Sequence, residues 1–486
     1  MAEKIVVSAN WRQSTSGRIL KALSLFGGLQ ILIIICSVVR NKFIALWLGT
    51  AGVGLFALYN YTLELINQLC QLNLRQSAVR EIAAADRQDV KAAVGMVRRV
   101  SVILGCIGAV ATLILSPLLS YWTFGDYSHT YGFAILAIGV GLSVVLSGEQ
   151  AILQASDRLR LLAKATAIGS ITGTAISILL FKLMGIRSIV PSMLAFFITT
   201  AFSAVYYGRK SVISATVTSK AALLRSGPML RLGAYMTAGT AIASLASYIF
   251  IAWLRGNAGE SGVGVYQAGF VIINQYVGLV FMALGVEYFP RISRVSMSVY
   301  RTRIAVRHEI LIIMLVMLPA SVVFINAAPF IVKLLYSSEF SAIVPYATIA
   351  AIGTVFKAFS FAMAYVIIAR GDGKIYLLTE SVSAAIFIGS SIWGWSLGGY
   401  LGLGIAYAVW YGLYAISVSL VCRYRYGIAI HITDCFLPAA TLIAAGLQAM
   451  LALYGHYSIA IGVSAAAVAA SGYMLYRVLK RRTLKE

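Results

Sequence analysis

The chain has 486 residues, of which 60% are hydrophobic and 11% charged, and a mean hydropathy of +0.87. That composition excludes a water-soluble globular protein and places the chain among integral membrane proteins. A net charge of +23 would point to nucleic acid in a soluble chain. Here most of it lies in short loops, where membrane topology and anionic headgroups account for it, so no nucleic-acid partner is expected.

In chain order, residues Met1 to Ser16 are polar and carry Glu3, Lys4 and Arg12, and the apolar run that follows reads as a retained signal-anchor helix. About fourteen apolar stretches then have spanning length: 20–48, 51–74, 97–121, 130–154, 161–183, 189–207, 232–254, 263–290, 309–334, 344–369, 374–397, 401–421, 434–454 and 457–477. A hydrocarbon core of ~30 Å takes ~20 apolar residues as helix, so each crosses once. The N-terminus, every second gap and the C-terminal tail hold 32 of the 39 Lys and Arg residues. The other gaps and their helix ends hold Arg40, Lys42, Lys182, Arg187, Arg255 and Lys333, while Lys357 stands alone inside a span. Basic loops stay in the cytoplasm, which puts both termini there and makes the span count even. The longest loops (roughly 75–96, 208–231 and 291–308) are too short to bury a core of their own.

The second half of the chain echoes the first at an offset near 210 residues. Lys21–Gly28 opens the first span and Arg231–Ala238 the seventh; Gly52–Phe56 opens the second and Gly262–Tyr266 the eighth. The residue matches are loose, but six span positions fall into step. Six is even, so both halves insert the same way, and parallel repeats of this kind are a transporter plan. The expected organisation is an N-lobe over 1–207, a cytoplasmic linker over 208–231 and a C-lobe over 232–421. Residues 422–486 then form an appended pair of spans with a basic cytoplasmic tail. The fold class is all-α integral membrane protein, two parallel six-helix repeat lobes plus two appended helices.

Ionisable groups inside spans are costly and therefore candidates for function. Lys357 lies about thirteen residues from either end of its span and is expected to face a wet cavity or an acid. Glu64 is similarly central in the second span, with Asn67, Gln68 and Gln71 on following turns; the offset sets it opposite Asn274, next to Gln275. A buried hydrogen-bonding pair at a lobe contact would explain these polar groups equally well. Arg40 and Lys42 interrupt an apolar run near the outer interface, either by snorkelling or because a bent first helix aims Arg40 into a cavity. Glu149 lies toward the cytoplasmic end of its span, as do Glu287, Glu309 and Glu380, for which solvated helix ends are expected. Tyr400, Tyr407, Tyr411 and Tyr414 fall within ~60° of one helix face, suited to sugar stacking or to helix packing with a polar handle. Pro319 and Pro329 imply a kink in the ninth span.

No phosphate-binding glycine loop, metal-spaced His/Cys cluster or triad-sized loop occurs, so the protein is not expected to be an enzyme or to bind a cofactor or metal. The five cysteines lie in or at the ends of spans, with no pairing pattern. Transport would run on an ion gradient, on the membrane potential or downhill.

Taken with Val38–Gly49, Gly52–Tyr59, Leu74–Arg80, Glu287–Ser293 and Ala369–Lys374, the chain resembles the O-antigen and polysaccharide translocases. These are lipid-linked oligosaccharide flippases of the multidrug/oligosaccharidyl-lipid/polysaccharide exporter superfamily. The resemblance implies two six-helix lobes forming a V-shaped central cavity and alternating access in the bacterial inner membrane. It implies the flipping of an undecaprenyl-diphosphate-linked oligosaccharide to the periplasmic leaflet, with membrane lipids and other polysaccharide-assembly membrane proteins as partners. Related flippases place an arginine of the bent first helix in a cationic cavity, and Arg40 occupies the matching position. Arg40, Lys42, Arg255 and Lys357 would then offset a diphosphate whose desolvation is otherwise very costly. Glu64 or Glu149 would take up a coupling proton or sodium ion. Fourteen spans is the count of lipid II flippases, which keeps a cell-wall precursor as an alternative substrate. A multidrug exporter of the same superfamily would want acidic cavity residues instead, and a glycan polymerase or ligase a long periplasmic loop.

Overall fold

The structure, a computed structural model, describes residues 2–84, 89–212, 214, 215, 217–431 and 434–483. The side chains before Gly28, the side chain of Glu287 and the end of the basic tail (484–486) lie outside the described residues. Among the described residues the regular structure is helical throughout, as apolar segments in lipid require, because only helices and closed barrels satisfy every backbone group internally. In chain order the helices are α1 (Ala2–Gln71), α2 (Leu74–Ala84), α3 (Val90–Phe124), α4 (Thr130–Ala155), α5 (Leu159–Met184) and α6 (Ile189–Ser211). They continue with α7 (Ser219–Val295), α8 (Val299–Leu335), α9 (Val344–Arg370), α10 (Gly373–Tyr426), α11 (Phe436–Leu453) and α12 (Tyr457–Thr483).

Three of these are far longer than one crossing, and each breaks at glycine. In α1 the break is Gly49 (φ 65°, ψ −163°), in α7 it is Gly259 (φ 70°, ψ −179°), and in α10 it includes Gly399 (φ 55°, ψ −126°). A left-handed φ of this kind is open to glycine and strained for other residues. A short 3-10 turn, Gly185–Ser188, separates α5 from α6, and Gly185 (φ 57°, ψ −139°) nearly copies the geometry of Gly399. Gly49 and Gly259 are 210 residues apart, Gly185 and Gly399 are 214 apart, and so are the left-handed Asp157 and Gly371. The sequence repeat therefore reappears as backbone punctuation. Nine apolar helical stretches of spanning length occur among the described residues; the four breaks divide them into thirteen segments, and Ser458–Met474 adds a shorter one. That agrees with the expected total of about fourteen.

The chain forms two compact units, Met1–Ser244 and Leu245–Glu486. In the N-terminal unit α3 packs on α4, α4 and α5 on α6, and α1 along α5. The stretch 208–231, expected as a linker, belongs to this unit. The amide of Ala215 donates to Lys91 O (2.9 Å), the chain is helical again from Ser219, and Ala222 and Met229 are buried with Leu74, Val94, Val97 and Ile152. Its apolar face, not visible as a span, is what docks it.

In the C-terminal unit α9 packs on α8 and α10, and α11 and α12 pack on α8. The last pair is fastened by a buried polar knot. Asn326 Nδ2 donates to Ser464 Oγ (2.7 Å) and to Ala460 O (3.1 Å), and Gln448 Nε2 donates to Asn326 Oδ1 (2.5 Å). Asn326 sits between Pro319 and Pro329 of α8, so a polar residue within the apolar part of that helix faces the appended pair.

Two candidate cationic sites

In the C-terminal unit, Lys357 stands at the midpoint of α9. Its Nζ donates to Asn274 Oδ1 (2.8 Å), lies 3.5 Å from Tyr407 OH, and sits 4.8 Å from the centroid of the Tyr411 ring. The acceptor is itself oriented, because Asn274 Nδ2 donates to Phe270 O one turn earlier in α7 (2.9 Å). A second polar pair, Tyr276 OH and Thr354 Oγ1 at 2.7 Å, joins the same two helices one turn away, and the Tyr276 ring stacks on Phe324. Tyr407 is 4% exposed and is backed by Gly353, where a Cβ would lie 2.7 Å from its ring. Trp410 covers Tyr411 at 4.2 Å between centroids and is held by Ser383 Oγ through its Nε1 (3.0 Å). Among the described residues no carboxylate reaches Lys357. The ammonium is thus positioned by neutral oxygens and ring faces, and its charge is not neutralised.

In the N-terminal unit, Arg40 lies between two rings, its Cζ 5.0 Å from the Phe56 centroid and 4.8 Å from that of Phe196. Cation–π contacts of this kind are worth ~0.5–2 kcal/mol, more when desolvated. Phe196 reaches Arg40 from α6 and packs its other side on α5, where a Cβ on Gly173 would approach its ring within 2.8 Å. Arg40 Nε is buried without a hydrogen-bond partner, and among the described residues the guanidinium makes no hydrogen bond or ion pair. An arginine offers five N–H donors in a fork that matches phosphate oxygens. The bend expected in the first span is not seen: α1 keeps helical geometry at Arg40 and Lys42 and departs from it at Gly49, where the first span ends and the second begins. Arg40 therefore sits ~13 Å along a continuous helix from the break. Lys42 is half-buried and has no polar partner among the described residues.

The polar residues of the second span divide. Asn67 Oδ1 accepts from Ser143 Oγ (2.6 Å) and Gln71 bridges Ser143 and Ser147, fastening this span to α4, and Arg75 of α2 continues the ladder by donating to Gln154 Oε1 (3.3 Å). Glu64, one turn before Asn67, is exposed and has no polar partner among the described residues. Glu149 is 3% exposed and paired with Arg98, whose Nε and Nη2 lie 2.9 and 3.3 Å from its two oxygens. Arg98 also donates to Ser214 Oγ, which ties the pair to the docked stretch after α6.

The expectation of solvated helix ends fails for Glu309, which is 1% exposed and accepts from Arg291 (2.5 Å). An arginine from a neighbouring helix reaches it there, a partner that linear position cannot reveal. Glu380 is half-buried and accepts from Tyr414 OH (3.2 Å), and Tyr400 OH donates to Gly262 O (3.3 Å). Of the four tyrosines on one face, Tyr407 and Tyr411 therefore join Lys357, and Tyr400 and Tyr414 are held elsewhere. Arg255 lies one turn before the Gly259 break, and Gln275 is half-buried beside Asn274. Phe56, Phe196 and Trp410 were not singled out by sequence, because an aromatic residue in an apolar span carries no signal of its own. Among the described residues no cluster of His, Cys, Asp and Glu is arranged to hold a metal ion.

Comparison with solved structures gives the architecture. The fold matches an inward-facing multidrug resistance transporter of the MATE family and MOP superfamily, 17% identical, with a TM-score of 0.68 over 81% of this chain and 94% of that one. It matches the lipid II flippase MurJ in an inward closed conformation, 12% identical, with a TM-score of 0.69 over 94% of this chain and 99% of that one. It also matches a MOP superfamily transporter from Pyrococcus furiosus, 15% identical, with a TM-score of 0.60 over 84% and 96% of the two chains. A search of curated proteins finds no match. Residues 43–345, more than half of the chain and including Arg40's ring partners and Asn274, match the family described as polysaccharide biosynthesis protein. This multi-pass membrane protein belongs to the polysaccharide biosynthesis protein family and has the fold of the MOP superfamily transporters.

Proposed function

We propose that this protein flips a polyprenyl-diphosphate-linked oligosaccharide, an O-antigen or related surface-polysaccharide unit, from the cytoplasmic to the periplasmic leaflet of the bacterial inner membrane. The observation that carries this reading is the pair of span-embedded cations, Arg40 and Lys357, with no carboxylate at either among the described residues. A charge left uncompensated inside a membrane span is costly, and an anionic substrate offsets that cost during its passage. Arg40 supplies a fork for phosphate oxygens, and Lys357 supplies a point charge already aimed by Asn274 and Tyr407. Tyr411 and Trp410 offer ring faces to a sugar beside that charge. An exporter of cationic drugs would be repelled by both sites.

Both termini lie in the cytoplasm, as the distribution of basic residues supports. Alternating access is coupled through Glu64, the span carboxylate that has no polar partner among the described residues; Glu149 is committed to Arg98. The test is flipping of lipid-linked glycan in cells depleted of this protein and complemented with wild type, Arg40→Ala or Lys357→Ala. The expected result is intermediates stranded in the cytoplasmic leaflet with either variant and not with wild type. Normal surface glycan after depletion, with new sensitivity to cationic drugs, would overturn the flippase reading.

A further inference from the structure

The face of α9 opposite Lys357 borders a groove of about 460 Å³ closed by the second half of α10 and by α11. Phe356, Phe359, Ile416, Leu420 and Leu442 make its walls apolar, and Arg423 is the one charged side chain lining it. Ile416 and Leu420 are 56% and 45% exposed, so the groove opens sideways, toward the bilayer. Arg423 belongs to the last turn of α10; its guanidinium lies 5.8 Å from the centroid of the neighbouring Tyr424 ring and makes no hydrogen bond or ion pair among the described residues. Gly412 floors the groove at its other end, where a Cβ would make only ordinary contact with the Phe356 ring at 3.9 Å.

Length identifies the occupant. Gly412 and Arg423 are eleven residues apart on one helix, ~16 Å at 1.5 Å per residue, which is about half of a ~30 Å hydrocarbon core. The groove therefore accommodates a chain that stops at mid-bilayer, with a charged end at the membrane surface beside Arg423. A polyprenyl chain is several times too long. We propose that this groove binds one acyl chain of an anionic phospholipid, its phosphate held by Arg423. The lipid fills the space between α9, α10 and α11 and is distinct from the transported substrate. Lining residues run from Val355 to Leu442, beyond the stretch that matches the family, so the site is a property of this part of the chain and stands independently of the flippase reading.

The test is native mass spectrometry of the purified full chain titrated with phosphatidylglycerol and with phosphatidylethanolamine of the same acyl chains. Wild type is expected to retain phosphatidylglycerol about fivefold more strongly, the ratio that ~1 kcal/mol per basic side chain at a membrane surface gives. Arg423→Gln removes that preference and leaves phosphatidylethanolamine retention unchanged. Gly412→Leu, which fills the floor, and Ile416→Trp, which narrows the mouth from an exposed position, each lose both lipids, whereas Gly412→Ala keeps them. Equal retention of the two lipids by wild type, or wild-type retention by both blocking variants, would overturn the proposal. So would displacement of phosphatidylglycerol by equimolar undecaprenyl phosphate, which would assign the groove to the prenyl chain.

Discussion

Arg40 and Lys357 are both cations inside apolar spans, yet the two units hold them by different means. Around Lys357 the protein has built oxygen acceptors, one of them oriented by its own backbone bond, so the ammonium is fixed before any ligand arrives. Around Arg40 it has built ring faces from Phe56 and Phe196 and no acceptor, so the guanidinium is confined while its N–H donors stay available. The difference teaches that a membrane-embedded charge can be stabilised either by satisfying its donors or by covering its faces. Only the second leaves a bidentate site for an incoming anion. The acids show the converse arrangement. Glu149 and Glu309 are consumed by arginines, which leaves the two candidate cations uncompensated.

Substitutions at four positions test that contrast, the largest effect first. Glu149→Gln strands Arg98 in a buried position and is expected to cost about 3–5 kcal/mol of stability, as loss of one partner of a buried pair does. A thermal-shift measurement showing no loss would mean that the pair is not what frees the cations. Arg40→Ala is expected to remove about 2–5 kcal/mol of interaction with a desolvated phosphate. It should abolish flipping in the complementation assay while the thermal midpoint stays near wild type; Arg40→Lys should rescue little, since an ammonium cannot form the fork. Asn274→Leu is expected to cost about 1.5–3 kcal/mol by removing the charged hydrogen bond of Lys357. Asn274→Asp should keep stability and still lower flipping, because a carboxylate there neutralises the site; normal flipping by the Asp variant would break the proposed role of the charge. Phe196→Ala removes one ring face from Arg40 and is expected to weaken transport by about 0.5–2 kcal/mol, measured as a rise in the lipid-linked glycan concentration needed for half-maximal flipping.

The span pattern and the alternation of basic loops were legible in one dimension, because lipid forces each apolar run of ~20 residues to act alone as a helix. The breaks at Gly49 and Gly259 were legible too, as the positions where paired runs meet at the repeat offset. Lys357, Asn274, Tyr407 and Tyr411 were each visible as polar intrusions, but their meeting in one cluster depends on how three helices rotate about their axes. In sequence Glu149 is as available for coupling as Glu64, because its partner Arg98 lies 51 residues away. The partners of Arg40 were hidden for a different reason: phenylalanine is the expected residue in a span, so its use as a ring face leaves no mark in composition. The stretch 208–231 reads as a linker because its buried residues are too few to form a span, though enough to dock the start of α7.

The knot of Asn326, Gln448, Ala460 and Ser464 bears on how the protein is made. Asn326 lies 134 residues ahead of Ala460, the carbonyl that accepts from it. At ~5–20 residues per second of synthesis, about 7–27 s pass between the ribosome placing one and the other. For that interval α8 lacks the α12 half of its knot, with Gln448 of α11 as its partner once that helix is made, so a nascent chain stopped before α11 should stay attached to the translocon longer than one stopped before α12.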